Sequence, residues 1–226
     1  MEISAQEIAW MEEHYGGLRL KNATTIVGTL RFRAARKGHD NKIAIWHSIP
    51  PLDEASSARH FIEDAYDIFV SVSDDIPHAR ETGGRIAKTP GKHVFPNSGL
   101  LCLGSPPLIY MEVQKSPGIR NFFEKFLIPY FYYHSHIEKY GAEPWPGLPH
   151  ECAHIFLDIY RYKESIDETM VKIVWQYLQE KEKILLMRGK RSMFDTCLCH
   201  SGKKAKDCHP KLTSGFNILR KAIRRG

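Results

Sequence analysis

Apolar residues in the first half of the chain follow a helical pattern and then an alternating one. Ser4 and Glu7 have the spacing of a capping box. An apolar stripe follows on one helical face, which predicts a short amphipathic helix (Ile8, Met11 and Tyr15). Three later segments alternate with period two and predict strands: 25–33, 43–46 and 66–72. Because no long helix separates these strands, we expect an antiparallel meander.

The segment after the third predicted strand has the composition of a loop. Residues 74–100 are rich in glycine, proline and polar side chains and lead into Leu101-Cys102-Leu103. Loops of this length usually carry function or enclose a site. Cys102 is therefore a candidate nucleophile, although a cysteine between leucines is also typical of an apolar core.

Helical patterns dominate the rest of the chain. A first helix should follow Gly118 and be kinked or broken at Pro129. A second is expected over about 150–162. A third should begin at the capping box Ser165-Ile166-Asp167-Glu168 and end at Gly189. With the strands, these helices predict an α+β fold.

Composition limits the class of protein. The 226 residues suffice for one sizeable core and a small appendage, and 42% hydrophobic with 26% charged residues is usual for an ordered soluble protein. No stretch approaches the roughly 18 apolar residues of a membrane-spanning helix, and Met1-Glu2-Ile3-Ser4 lacks the basic start of a signal peptide. We expect a cytoplasmic protein without membrane contact. Five cysteines, an odd number, favour metal ligands and reduced thiols over disulfides.

Charge is distributed unevenly. Lys181–Gly226 contains 13 Lys and Arg against 3 Asp and Glu, whereas the first 180 residues carry a net charge of −4. An acidic partner should therefore bind the C-terminal end, and this binding should weaken with salt. A solvated basic tail is the alternative interpretation. Binding to nucleic acid is not expected, because aromatic residues that could stack on bases are sparse in this segment and Phe216 is the one candidate.

A zinc site is expected near the C-terminus. One short loop contains a Cys-x-Cys pair and a Cys-His pair, which supply four zinc ligands: Cys197, Cys199, Cys208 and His209. His200 is an alternative ligand with a less suitable position. Four protein ligands leave no place for water, so the zinc should be structural.

This fragment resembles the SEC-C motif, a small zinc module. Ser201-Gly202-Lys203-Lys204 matches the motif, whereas His200 replaces its usual glycine. The resemblance covers about fifteen residues and implies a docking module for a protein or ribosomal partner.

Residues 1–163 resemble the ubiquitin-conjugating (E2) enzymes, and divergent bacterial E2-like proteins in particular. The shared features are the order of helix, meander, long loop and C-terminal helices, and these residues: His93, Gly99, Leu101-Cys102-Leu103, Pro129-Tyr130-Phe131-Tyr132 and Pro144-Trp145-Pro146-Gly147-Leu148-Pro149-His150. The resemblance implies an E2-like catalytic domain over 1–163, a helix over 164–190 and a zinc module with a basic tail over 191–226.

The resemblance also implies an activity. Cys102 would accept an activated C-terminal glycine as a thioester and transfer the acyl group to an amine. Asn97 is the candidate oxyanion donor, although His93 stands apart from Pro96-Asn97 and the family's His-Pro-Asn tripeptide is broken. His93 could instead hold the loop, and His150 is a candidate neighbour of Cys102.

The partners follow from the same resemblance. Bacterial relatives occur beside antiphage cGAS-like nucleotidyltransferases or ubiquitin-like proteins, which supply the C-terminal glycine. The 226 residues leave no room for an adenylating E1 domain, so activation would be done by a separate E1-like protein or bypassed.

Two alternatives remain open. Cys102, a histidine of the 150–154 segment and Asp158 have the residue types of a cysteine hydrolase. An inactive E2-like protein with a zinc hook for binding is the other. Cys152 should be inert, because it is expected on an apolar helix face.

Overall fold

The computed structural model describes most of the chain and divides it into two compact units. The described residues are 2–36, 43–47, 59–145, 153–199 and 201–225. The N-terminal unit comprises Met1–Leu103 and Ser116–Leu148, and the C-terminal unit comprises Gly104–Lys115 and Pro149–Gly226.

An antiparallel sheet forms the centre of the N-terminal unit. Its strands are β1 (Leu18–Asn22), β2 (Thr25–Arg36), β3 (Ile43–Trp46), β4 (Arg59–Ser71) and β5 (His78–Glu81). β2 pairs with β1, β3 and β4, and β5 pairs with β4. A meander would place β4 beside β3, so the strand order differs from the prediction. The two long strands pair with each other over most of their length, which a four-residue β3 cannot do.

Helices occur in both units. They are α1 (Ala5–His14), α2 (Pro106–Lys115), α3 (Ile119–Phe122), α4 (Ile128–Tyr140), α5 (Ala153–Arg161), α6 (Glu168–Tyr177), α7 (Glu180–Arg188), α8 (Ala205–Cys208) and α9 (Pro210–Ile223). The α+β class and the antiparallel sheet are thus confirmed. No helix in the described part of the chain is long and apolar enough to span a membrane.

The irregularity predicted at Pro129 takes the form of a π-helical turn. Phe123–Leu127 adopts this wider turn between α3 and α4. Pro129 lies at the start of α4, directly after this turn, and cannot donate the amide hydrogen that a regular α-helix would use there.

The helix predicted from Ser165 to Gly189 is two helices. Asp167, not Ser165, caps the first of them, because its carboxylate accepts the amide hydrogen of Met170 at 2.7 Å. The helix α6 ends at Leu178, where the backbone becomes extended and the side chain is buried. The prediction of one helix is wrong here because the apolar spacing continues through the break.

Arg85 fixes the long loop to the sheet, and aromatic stacking joins the sheet to α4. The Arg85 guanidinium pairs with Asp64 at 2.8 Å and lies 4.4 Å from the ring centroid of Tyr66. The Tyr66 ring stacks on Phe131, with the two centroids 4.4 Å apart. The prediction of loop throughout 74–100 is wrong for β5 and for the 3-10 turn Pro90–Lys92.

The Glu7 carboxylate joins α1 to α3. One oxygen accepts hydrogen bonds from the Ser4 amide and hydroxyl, which confirms the capping box, and the other accepts the Ile119 amide hydrogen at 2.7 Å. Burial raises the pKa of Glu7, but the hydrogen bonds from Ser4 and Ile119 outweigh it and hold the pKa below its usual value. The ionised form is therefore the one that stabilises the fold.

Glu7→Ala should lower the free energy of unfolding by about 1–2 kcal/mol at pH 7, the usual cost of a lost cap. Because the folded-state pKa is depressed, the contribution is complete above the unfolded pKa and lost as pH falls through the folded one. The difference in free energy of unfolding between wild type and Glu7→Ala, measured by urea unfolding, should therefore disappear in acid. Glu12→Ala, an exposed change on the same helix, serves as the control; a gap that persists at low pH would contradict this role of Glu7.

Candidate metal centre and nucleophile

Cys197, Cys199, Cys208 and His209 form one cluster. Their potential ligand atoms all lie within 4.8 Å of one another, and the described residues contain no other group of three or more such side chains placed to hold a metal ion. The four ligands predicted from the sequence are therefore brought together in space.

The distances within the cluster suit a tetrahedral ion. The Cys199 and Cys208 sulfurs are 3.5 Å apart, and His209 Nδ1 lies 3.6 Å from the Cys197 sulfur and 3.2 Å from the Cys208 sulfur. Sulfurs about 2.3 Å from a tetrahedral zinc would stand roughly 3.8 Å apart. The cluster is therefore compatible with zinc, with Nδ1 as the imidazole ligand atom.

Local backbone structure explains this convergence. Cys197 and Cys199 lie in a loop closed by the bridge between Thr196 and Lys204 and by the hydrogen bond from the Cys197 amide to the Lys203 carbonyl at 2.8 Å. Gly202 supports the turn with φ 76°, a left-handed conformation that favours glycine. Cys208 ends α8 and His209 directly precedes α9, so a bound ion would tie the loop to this helix.

The cluster's thiols have unequal acidity. Burial raises the pKa of the Cys197 thiol, whereas the hydrogen bond with the Ser201 hydroxyl lowers the pKa of Cys199. The Ser201 oxygen is 3.2 Å from the sulfurs of both Cys199 and Cys208. A divalent cation binds thiolates, so loading the site would release protons. His200 lies outside the described residues.

Cys102 lies at the end of a small hairpin that extends the sheet. Phe95 donates its amide hydrogen to the Leu100 carbonyl at 2.9 Å to close the hairpin. The Leu101 amide then bonds to the carbonyl of Ala79 in β5 at 2.9 Å. The Cys102 amide donates to the His93 carbonyl at 2.7 Å, so hydrogen bonds fix the backbone around a half-buried thiol.

Aromatic and imidazole groups of α4 lie near this segment. The Tyr130 hydroxyl donates to the Lys92 carbonyl at 2.8 Å. Burial raises the pKa of the Tyr130 hydroxyl, and the charge of an ionised Cys102 raises it further. Burial lowers the pKa of His134 to about 4, so this imidazole is neutral at physiological pH.

The other predicted site residues differ in their surroundings. His93 is buried and has a left-handed backbone with φ 53°. Asn97 lies at the exposed tip of the hairpin. His150 and Cys152 lie outside the described residues. Sequence reasoning gave Tyr130 no role at the thiol, because its contact with Lys92 joins positions 38 residues apart.

Asp158, suggested for a hydrolase, has other partners within the C-terminal unit. The Ser105 hydroxyl donates to one carboxylate oxygen at 2.5 Å, and Arg161 pairs with the other at 2.8 Å. The Asp158 residue is only 6% exposed. Both of its oxygens are thus engaged.

Comparison with known proteins adds no relative: no protein-family model, curated protein or solved structure matches this chain.

Proposed function

We propose that the chain is an E2-like acyltransferase in which Cys102 accepts the C-terminal glycine of a donor protein and transfers it to an amine. The half-buried position of Cys102 at a hairpin whose backbone is fixed by His93 carries the proposal. Such a thiol can reach a peptide tail, while the fixed backbone limits where the bound acyl group lies.

The chemistry divides into two balanced steps. The Cys102 thiolate attacks the activated glycine carbonyl, a sulfur–carbon bond forms, and the activating group leaves with its bonding electrons. An amine then attacks the thioester, loses its proton to a base and expels the thiolate. Asn97 is proposed as oxyanion donor, with His93 holding the loop.

The proposed partners are those implied by the E2-like resemblance. The donor would be a cGAS-like nucleotidyltransferase or a ubiquitin-like protein, activated by a separate enzyme, in bacterial antiphage defence. The cysteine–histidine cluster would hold a structural zinc in a SEC-C-like module. A hydrolase has less support, because both Asp158 oxygens are engaged by Ser105 and Arg161.

Intact-mass analysis of the protein isolated from its native host tests the nucleophile. Wild type should carry an adduct sensitive to reductant, and Cys102→Ala should abolish it. Cys102→Ser should trap an oxyester that reductant does not cleave, because a hydroxyl replaces the thiol as nucleophile.

Cys152→Ala is the matched control and should leave the adduct intact. An adduct that survives Cys102→Ala but disappears in Cys152→Ala would refute the proposed site. A thioester that decays to water at the same rate with and without added amines would point to the hydrolase.

A further inference from the structure

The chain after residue 189 presents many positive charges without acidic partners. Lys190–Gly226 contains ten Lys and Arg but only two acidic residues, Asp195 and Asp207. Exposed lysines of the zinc loop, here residues 191–209, form no ion pair with any described residue (Lys203, Lys204 and Lys206). In α6, by contrast, Lys172 pairs with Glu168 at 2.8 Å. The positive charge of the zinc loop is thus available to an external anion.

Helix α9 extends this positive surface. Its buried side contains Leu212, Phe216 and Leu219, while Lys211 and Lys221 are exposed on the other side. The helix begins directly after His209 and its 14 residues span about 21 Å. The zinc loop and the exposed side of α9 are therefore joined at the metal cluster.

An aromatic ring lies within this positive region. Phe194 is 65% exposed, and the Lys206 ammonium is 5.1 Å from its ring centroid. Hydrogen bonds hold the chain on either side of Phe194: the Lys206 amide donates to the Met193 carbonyl at 2.9 Å, and the Ser192 amide donates to the Asp195 carboxylate at 2.8 Å. An exposed large ring on a fixed loop costs hydrophobic free energy unless a partner covers it.

Two phenylalanines of the C-terminal segment differ in their ability to stack on a base. Phe216 is fully buried and cannot stack on a base. Phe194 is the exposed ring of this segment. The objection from missing aromatic residues is thereby removed.

We propose that Phe194, the zinc-loop lysines and the exposed side of α9 form a binding surface for single-stranded nucleic acid. Lysines would contact phosphates, and the Phe194 ring would stack on an unpaired base. A duplex keeps its bases stacked internally and offers only the phosphate contacts. An acidic protein surface would use the charges but gain no base stacking, so the pairing of an exposed ring with free lysines favours the single strand. This proposal is independent of Cys102.

Fluorescence anisotropy with a labelled oligouridylate of about twelve nucleotides, a length within usual site sizes, tests it on the full zinc-loaded chain. Binding should weaken steeply with salt. Phe194→Ala should weaken binding to the single strand about fivefold or more, the effect expected for one lost stacking contact. Phe194→Tyr should bind the single strand as tightly as wild type does, because tyrosine keeps the stacking ring. Neither variant should change the affinity for a duplex of equal length.

Charge is tested separately from stacking. The double variant Lys203→Gln, Lys204→Gln should weaken binding to single strand and duplex alike and reduce the salt dependence. Met187→Ala, an exposed apolar change (58%) in the same unit, and Lys172→Gln are the matched controls and should bind as wild type. Zinc content equal to wild type confirms that each variant keeps its fold.

Three outcomes would overturn the proposal. The first is no binding of the oligonucleotide at low salt. The second is equal affinity of wild type and Phe194→Ala for the single strand. The third is binding of polyglutamate as tight as that of the oligonucleotide, which would assign the surface to an acidic protein.

Discussion

Cys199→Ser should release the metal and unfold the zinc loop while the sheet of the N-terminal unit stays folded. Metal analysis should give about one zinc per wild-type chain and much less for the variant, because three remaining ligands bind zinc far more weakly. Zinc binding to such sites is worth roughly 10 kcal/mol or more, most of which appears as local folding.

Hydrogen exchange locates the effect. The Cys197, Ala205 and Lys206 amides bond within the zinc loop and should lose protection by a factor of about a hundred or more. Amides of the β2–β4 ladder should keep theirs, because these strands belong to the N-terminal unit. Cys102→Ser, a cysteine change outside the cluster, should retain zinc and full protection. Full zinc content in Cys199→Ser, or loss of protection in the sheet, would contradict this account.

The features that were predicted correctly from the sequence are formed by residues close together in the chain. The capping box of Ser4 and Glu7 acts over three residues, and the period-two pattern of β2 lies within one strand, so both could be recognised without knowing the fold. The four residues of the candidate metal site fall within thirteen positions, and metal chemistry limits the choice of residue types. These predictions are confirmed for the helix, the strand and the cluster.

The short strands and the strand order were not predicted, because they depend on contacts between residues far apart in the chain. β1 and β5 are only five and four residues long, so the alternation of Leu18 and Leu20 with polar neighbours is too short to predict a strand by itself, and pairing with longer strands determines both. The strand order depends on β2 and β4 pairing across positions as distant as Thr25 and Ser71. Sequence spacing carries little information on such a choice, because any two alternating strands of suitable length could pair.

The basic C-terminal segment contains a packed amphipathic helix, α9, that its charge did not indicate. The excess of lysine and arginine in this part of the sequence predicts a zinc module with a basic tail over 191–226. The structure places Leu212, Phe216 and Leu219 on the buried side of α9, where Phe216 packs on Phe156 of α5 with ring centroids 5.3 Å apart. The basic residues cover the opposite side, so high net charge and a packed apolar face coexist in one helix.

The close approach of α5 and α9 depends on Gly215. A Cβ atom at this position would overlap the Phe156 carbonyl oxygen and lie 2.7 Å from the carbonyl carbon and 3.2 Å from the Tyr160 nitrogen. These are backbone atoms, which cannot rotate away as the end of a side chain can. Any larger residue must therefore move the helices apart.

Gly215→Ala should destabilise the C-terminal unit by about 2–4 kcal/mol, as overpacking of a close backbone contact does. Helix propensity alone predicts the opposite sign, a gain of about 1 kcal/mol for alanine over glycine, so the experiment separates the two effects. Urea unfolding followed by tryptophan fluorescence, with Trp175 in this unit, measures the change. Gly189→Ala is the matched control: it has open space around it and an extended backbone with φ 165°, and should change stability by less than about 0.5 kcal/mol. A Gly215→Ala protein as stable as wild type, or more stable, would show that α5 and α9 do not approach this closely in solution.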